Sequence, residues 1–200
     1  MDPEFISAVV LLVLVTDPFG NVPRVPALVA GCEPSRRRWV IVRECMIAYA
    51  ILIAFMLGGR KFLEVMRLSE AALSIAGGVI LFLIAIRMVF GNPEGLWGAT
   101  PQGEPFIVPL AVPFIAGPSA LATVMLMASR EPDRIGMWAA AITVTMAAVT
   151  LILAFAERIR GVLGEKAVTA VERLFGLILT AIAVEMLLGG IRAFVTGLKG

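Results

Sequence analysis

An apolar run near the start of the chain is interrupted by Thr16-Asp17-Pro18-Phe19-Gly20-Asn21-Val22-Pro23. Proline removes a backbone donor and clashes with the turn before it, and glycine loosens the chain further. A continuous helix through this stretch is therefore excluded. A second stretch, Val112-Pro113-Phe114-Ile115-Ala116-Gly117-Pro118-Ser119, answers it about a hundred residues later. Each has Pro-Phe, and each has a second proline five residues after the first.

These breaks matter because the rest of the chain reads as membrane-spanning. Of the 200 residues, 60% are hydrophobic, and the mean hydropathy is +0.95. Soluble domains are nearer half apolar. Residues 106–128 and 135–156 carry no charge, and roughly 20 residues of helix cross a bilayer. Backbone groups in lipid must be satisfied within the segment, which favours helices, and the alternating pattern of a barrel is absent. The expected fold is all-α, with spans at about 6–29, 39–57, 70–90, 106–128, 134–156 and 168–194. Spans one and four are broken at their prolines. Gly58-Gly59 is read as the stop of span two, with an amphipathic interfacial piece at 60–68. Ser35 and Ser69 are read as helix starts. Residues 157–167 read as a charged linker. The opening Met1-Asp2-Pro3-Glu4-Phe5 resembles a cloning remnant and is set aside.

The two halves repeat, with residues 6–90 and 106–200 flanking a Gly/Pro-rich loop at 91–105. Pro18-Phe19 matches Pro113-Phe114. Gly78, Ile80, Leu81, Ala85 and Met88 match Gly176, Ile178, Leu179, Ala183 and Met186. A three-span unit ends on the side opposite its start, so the second copy must be inverted. Positive charge in short loops sets orientation, but here it is balanced between the two sides.

Paired broken helices in such a repeat point to a midplane binding site. A broken helix frees carbonyls on one half and N–H groups on the other, which attract cations and anions respectively. A zwitterion needs both. Asp17 and Asn21 are candidates for an ammonium group or coupling cation. Ser119 and the N–H groups near Gly117 are candidates for a carboxylate, and Phe19 and Phe114 for an apolar wall. The plainer alternative is a pair of kinks that permit close packing, with Asp17 capping the half-helix after it. Arg87 and Glu185 occupy matching positions of spans three and six, and intramembrane charges default to a functional reading. They are placed in a pair with each other or with Asp17, against the alternative of snorkelling to the interface. Arg24 is a further candidate partner of Asp17. Arg43 and Glu44 are placed at the interface.

With no histidine, the commonest general base and metal ligand is missing. Neither a phosphate loop nor a nucleophile elbow is present. No catalytic residue, metal site or cofactor is expected, and a net charge of +2 suggests no nucleic-acid partner. A disulfide between Cys32 and Cys45 is not expected.

Three ordered motifs carry a family resemblance. They are Asp17-Pro18-Phe19-Gly20-Asn21-x-Pro23, then Ala76-Gly77-Gly78-x-Ile80-Leu81-Phe82-Leu83-Ile84-Ala85, then Val108-Pro109-Leu110-Ala111-x-Pro113-x-x-Ala116-Gly117-Pro118. Together they resemble the MarC family over essentially the whole chain past residue 5. The resemblance implies six membrane helices and a bacterial inner-membrane location. The family name carries a link to multiple antibiotic resistance, and some archaeal relatives are classed as neutral amino acid transporters. The motif carries over to Asp17, Pro18, Phe19, Gly20, Asn21, Pro23, Pro113, Gly117 and Pro118. Arg87 and Glu185 rest on the residue argument alone. The expected function is a secondary transporter of small zwitterionic solutes, neutral amino acids first, coupled to H⁺ or Na⁺. The alternatives are a non-transporting membrane protein of regulatory or assembly role, or drug-related efflux. Expected partners are the solute, membrane lipid and further copies of the chain.

Overall fold

The computed structural model describes residues 3–22, 25–90, 105–107 and 110–197. The expected loop at 91–105 lies almost wholly outside them, as do Pro23 and Arg24. Among the described residues every element is helical. They run α1 (Pro3–Thr16), α2 (Pro18–Asn21), α3 (Val25–Leu28), α4 (Arg37–Met66) and α5 (Glu70–Phe90). A π-wound turn at Leu110–Ile115 leads into α6 (Pro118–Arg130), a 3₁₀ turn at Pro132–Arg134, α7 (Ile135–Ala154) and α8 (Ala156–Gly197).

Among the described residues, five helical segments are long and apolar enough to cross a membrane: Pro3–Asn21, Arg37–Gly59, Ala71–Phe90, Pro132–Ala154 and Thr169–Gly197. The expected fourth span is the exception. α6 has 13 residues, about 20 Å at 1.5 Å per residue, against the ~30 Å of a hydrocarbon core. Large apolar side chains stand exposed on the outer faces, including Val10, Leu83, Leu151 and Leu177, as lipid-facing surfaces require.

Three boundaries differ from the sequence reading. α4 does not stop at Gly58-Gly59, because Gly59 makes room for a neighbour. A Cβ there would lie 2.3 Å from Met125 Cγ of α6. α4 instead absorbs the amphipathic piece and ends where Arg67 turns left-handed (φ 52, ψ 36). There the Leu68 N–H reaches Leu63 O at 2.9 Å, a Schellman-type closure. Ser35 does not cap α4, whose N-cap is Arg36 with no capping bond from its side chain. The Ser69 hydroxyl does accept the Ala72 N–H at 3.0 Å. The expected linker at 157–167 is helical and broken only at Gly164 (φ 75, ψ 161), a conformation glycine adopts without steric cost.

Packing follows the helical period. Val40, Ile41, Cys45, Ala48, Leu52 and Met56 line the buried stripe of α4. Trp138, Ala141, Ile142, Met146, Val149 and Leu153 line that of α7. Both cysteines are free. α5 and α8 form the most extensive helix pair, α1 packs on α7, and α4 packs on both α6 and α7. At the α5–α8 seam, a Cβ on Gly78 would lie 3.0 Å from Ala183 O, and one on Gly176 would lie 3.1 Å from Ala85 O. The two contacts are reciprocal in sequence, since Gly176 and Ala183 each lie 98 residues after Gly78 and Ala85.

Candidate functional site: two broken helices that meet

The first break is a one-residue turn. α1 ends at Thr16, Asp17 takes a left-handed conformation (φ 44, ψ 62), and Pro18 opens α2 at its first position, where its missing N–H costs nothing. The freed groups are bonded locally. Asp17 N–H reaches Val13 O and Leu14 O at 3.1 and 3.2 Å, and Asp17 Oδ1 accepts the Gly20 N–H at 3.0 Å. The Thr16 hydroxyl donates back to Leu12 O at 2.8 Å. The carboxylate folds so tightly over Gly20 that a Cβ there would sit 2.0 Å from Asp17 Oδ2. Asp17 thus does the capping work that the plainer reading assigned to it.

The second break is longer. Val112 N–H bonds Ile107 O at 2.9 Å and Ala116 N–H bonds Ala111 O at 2.8 Å, both i to i−5, the spacing of a π turn. Val112 itself is extended (φ −131, ψ 126). Gly117 is extended (φ −74, ψ 165), and Pro118 then starts α6. Ser119 follows in the first turn, 2% exposed, and its carbonyl accepts the Thr123 hydroxyl at 2.8 Å. Pro113 falls inside the π turn.

The two breaks meet. Asn21 Nδ2 donates to Phe114 O at 3.1 Å and to Thr16 O at 3.4 Å. One amide side chain therefore ties the carbonyl end of α1 to the π turn 93 residues further on. Asn21 is 3% exposed and Asp17 7%. A carbonyl from each break is thereby gathered on one amide inside an apolar bundle. The Phe19 ring packs on Phe175 of α8, centroids 4.9 Å apart and tilted by 40°.

Arg87 and Glu185 are not part of this gathering. Both are exposed, and among the described residues no ion pair joins either to the other or to Asp17. Arg87 lies in the last turn of α5, where a cation complements the helix dipole and its stem can snorkel.

Glu44 is the residue that sequence reasoning misplaced. Its carboxylate does not face water or head groups but is fully buried within the protein, at 0% exposure. Oε1 accepts from Arg43 Nε and Nη2 at 3.0 and 2.8 Å, and Oε2 accepts the Ile107 N–H at 2.8 Å. Arg43 Nη2 also donates to Pro105 O, and its guanidinium lies over the rings of Trp39 and Phe106, 5.1 and 5.2 Å from their centroids. Ile107 is left-handed (φ 62), a conformation unusual for a β-branched residue. The Arg43–Glu44 pair is thus a brace from α4 that holds the chain as it enters the second break. A signal was available: Glu44 falls on the same helical stripe as Ile41, Cys45, Ala48 and Leu52.

Comparison with known proteins finds relatives along the whole chain. Residues 3–195 match the family model described as MarC family integral membrane protein. The chain is 44% identical to the UPF0056 inner membrane protein YhgN of Escherichia coli (strain K12), over 97% of this chain and 99% of that one. It is 39% identical to a UPF0056 membrane protein of Buchnera aphidicola subsp. Schizaphis graminum, over 96% and 97%. It is 34% identical to the UPF0056 membrane protein MJ1677 of Methanocaldococcus jannaschii, over 94% and 96%. No solved structure matches. The membrane-length helices, the motifs at both breaks and the full-length matches together make this chain an integral inner-membrane protein of the MarC family.

Proposed function

We infer that the protein is a secondary transporter of small zwitterionic solutes, with neutral amino acids as the favoured class and H⁺ or Na⁺ as the coupling ion. The observation that carries the reading is the Asn21–Phe114 hydrogen bond, which brings both broken helices to one place. Broken helices at matching positions of an inverted repeat frame the binding site in many transporters. The corresponding architecture is six spans in two inverted three-helix repeats, with the π turn and α6 together making the fourth. The packing supports it: α1 on α7 is answered by α6 on α4, and α5 on α6 by α8 on α1 and α2. The reciprocal glycine contacts at the α5–α8 seam are what a two-fold in the membrane plane produces.

In this reading Asp17 and the carbonyl end of α1 receive the ammonium group or coupling cation, while Ser119 and the N–H groups at the start of α6 receive the carboxylate. With Asp17, Asn21 and Ser119 all buried, the conformation corresponds to an occluded state that must open for exchange. The role is transport rather than catalysis.

A second reading is favoured by one observation, the use of the Asp17 carboxylate as a cap on α2. Under it the breaks are packing devices in a non-transporting protein of regulatory or assembly role. Asp17→Asn separates the two, because asparagine keeps the capping oxygen and loses the charge. The test is thermal shift of the detergent-purified protein against a panel of neutral amino acids, with and without Na⁺. Ligand bound only by the folded state raises the apparent midpoint. A shift for alanine or glycine that disappears in Asp17→Asn is expected. No shift for any member of the panel, in protein shown to be folded, would sink the transporter reading.

A further inference from the structure

Where α4 begins and α7 passes into α8, the chain forms a recess of about 390 Å³ lined by Arg37, Arg38, Glu157 and Arg158, with Val25 and Pro26 from α3 behind them. Three guanidinium groups face one carboxylate. Glu157 is already engaged by Arg37 Nη1 at 3.0 Å, and Arg37 also donates to Ala30 O and Cys32 O, so this pair is structural. Arg38 and Arg158 differ. Both guanidinium groups lie over the Phe155 ring, 5.3 and 5.7 Å from its centroid. Among the described residues neither makes an ion pair or a hydrogen bond. Two cations are held on one ring with their donors unspent.

A second cavity, about 510 Å³, runs between α4 and α7 and is lined by apolar groups including Val42, Met46, Met146, Ala147 and Leu151. Ala154 lines both spaces, so the basic recess and the apolar groove adjoin at the end of α7. At the far end of the groove the hydroxyls of Tyr49 and Thr143 lie 3.0 Å apart. From Arg38 to Tyr49 helix α4 rises about 16 Å, which matches one leaflet of a ~30 Å hydrocarbon core. Val42, Met46 and Leu151 stand exposed along this path.

We propose that this composite cavity is a binding site for an anionic phospholipid, its phosphate between Arg38 and Arg158 and one acyl chain along the α4–α7 groove. Basic pockets between membrane helices take anionic head groups, and guanidinium matches phosphate with two parallel hydrogen bonds. A soluble anion accounts for the recess but leaves the groove unused. A zwitterionic lipid accounts for the groove but leaves two positive charges uncompensated. The bound lipid abuts α3, the segment that follows the first break.

Native mass spectrometry of the detergent-purified protein tests this, with dioleoyl phosphatidylglycerol, dioleoyl phosphatidylcholine and inorganic phosphate as separate probes. One phosphatidylglycerol per chain is expected to bind at least tenfold more tightly than phosphatidylcholine. The double variant Arg38→Gln, Arg158→Gln should lose that preference, and phosphate alone should not compete at millimolar concentration. The charge-keeping variant Arg38→Lys, Arg158→Lys should retain the preference, and it serves if the glutamine variant does not fold. Ala147→Trp, which fills the groove, should weaken the long-chain lipid at least tenfold while leaving dihexanoyl phosphatidylglycerol unaffected. Equal binding of the two headgroups overturns the proposal, as does phosphatidylglycerol binding that survives the glutamine pair. Competition by phosphate as strong as that by the lipid also overturns it, and marks the recess as a soluble-anion site.

Discussion

At the first break one residue turns the chain, and at the second the chain unwinds over a whole turn. Asp17 bends α1 into α2 and caps the new helix with its own side chain three residues on. The second break spreads the same task over Leu110–Ile115 with π-spaced bonds and an extended Val112. It is held from outside by Glu44 of α4, whose carboxylate receives the Ile107 N–H. Each break has a left-handed residue at or before it, Asp17 at φ 44 and Ile107 at φ 62. Aspartate tolerates that conformation because its short side chain bonds locally. Isoleucine does not, and needs a partner from another helix. The comparison teaches that a broken membrane helix can satisfy its freed backbone groups by itself or by borrowing from a neighbour. Only the borrowed kind depends on a distant residue.

The largest effect should come from removing the borrowed support. Glu44→Ala removes the acceptor of Arg43 Nε and of the Ile107 N–H, and breaking a pair with one fully buried member costs about 3 kcal/mol, the lower end of the buried range. Thermal unfolding in detergent should show the loss. A variant within about 1 kcal/mol of wild type would mean the second break holds itself after all.

The α5–α8 seam sharpens the contrast from the other side. There the halves are matched, so Gly78→Ala and Gly176→Ala should destabilise by similar amounts, about 1–3 kcal/mol each for an inserted methyl group. One variant costing several times the other would deny the seam its symmetry.

Asp17→Ala removes a local cap and should cost about 0.5–2 kcal/mol, with Asp17→Asn close to neutral by the same unfolding measurement. An Asp17→Ala loss as large as that of Glu44→Ala would erase the distinction between the two breaks.

The smallest effect is a gain. Ile107→Gly relieves a left-handed β-branched residue, worth about 1–2 kcal/mol before glycine's own entropy cost is subtracted. It should also reduce the dependence on Glu44, read as a smaller loss when Glu44→Ala is made in the Ile107→Gly background.

Much of the site was legible because proline and glycine act locally. Pro18, Gly20, Pro113 and Gly117 mark the breaks wherever they stand, and Asp17 lies close enough in sequence to Gly20 for its capping role to be foreseen. Arg87 and Glu185 were less readable. Equivalent positions in a repeat say nothing about which way a side chain points, and both are exposed. Glu44 was hidden because its partner, Ile107, is 63 residues away. Gly58-Gly59 misled because a glycine that ends a helix and one that admits Met125 look identical in sequence.

What this sequence determined by itself is a helical membrane protein with two broken segments and recurring short motifs. Hydropathy, proline geometry and the recurrence of short motifs act over a few residues and need no knowledge of contacts. What only the tertiary structure decided is how the breaks are held and where they meet: Asn21 on Phe114, Glu44 on Ile107, Gly78 beside Ala183. Those pairings join residues 63 to 105 positions apart, and in an apolar bundle many partners satisfy the same local pattern. Packing of whole helices selects among them.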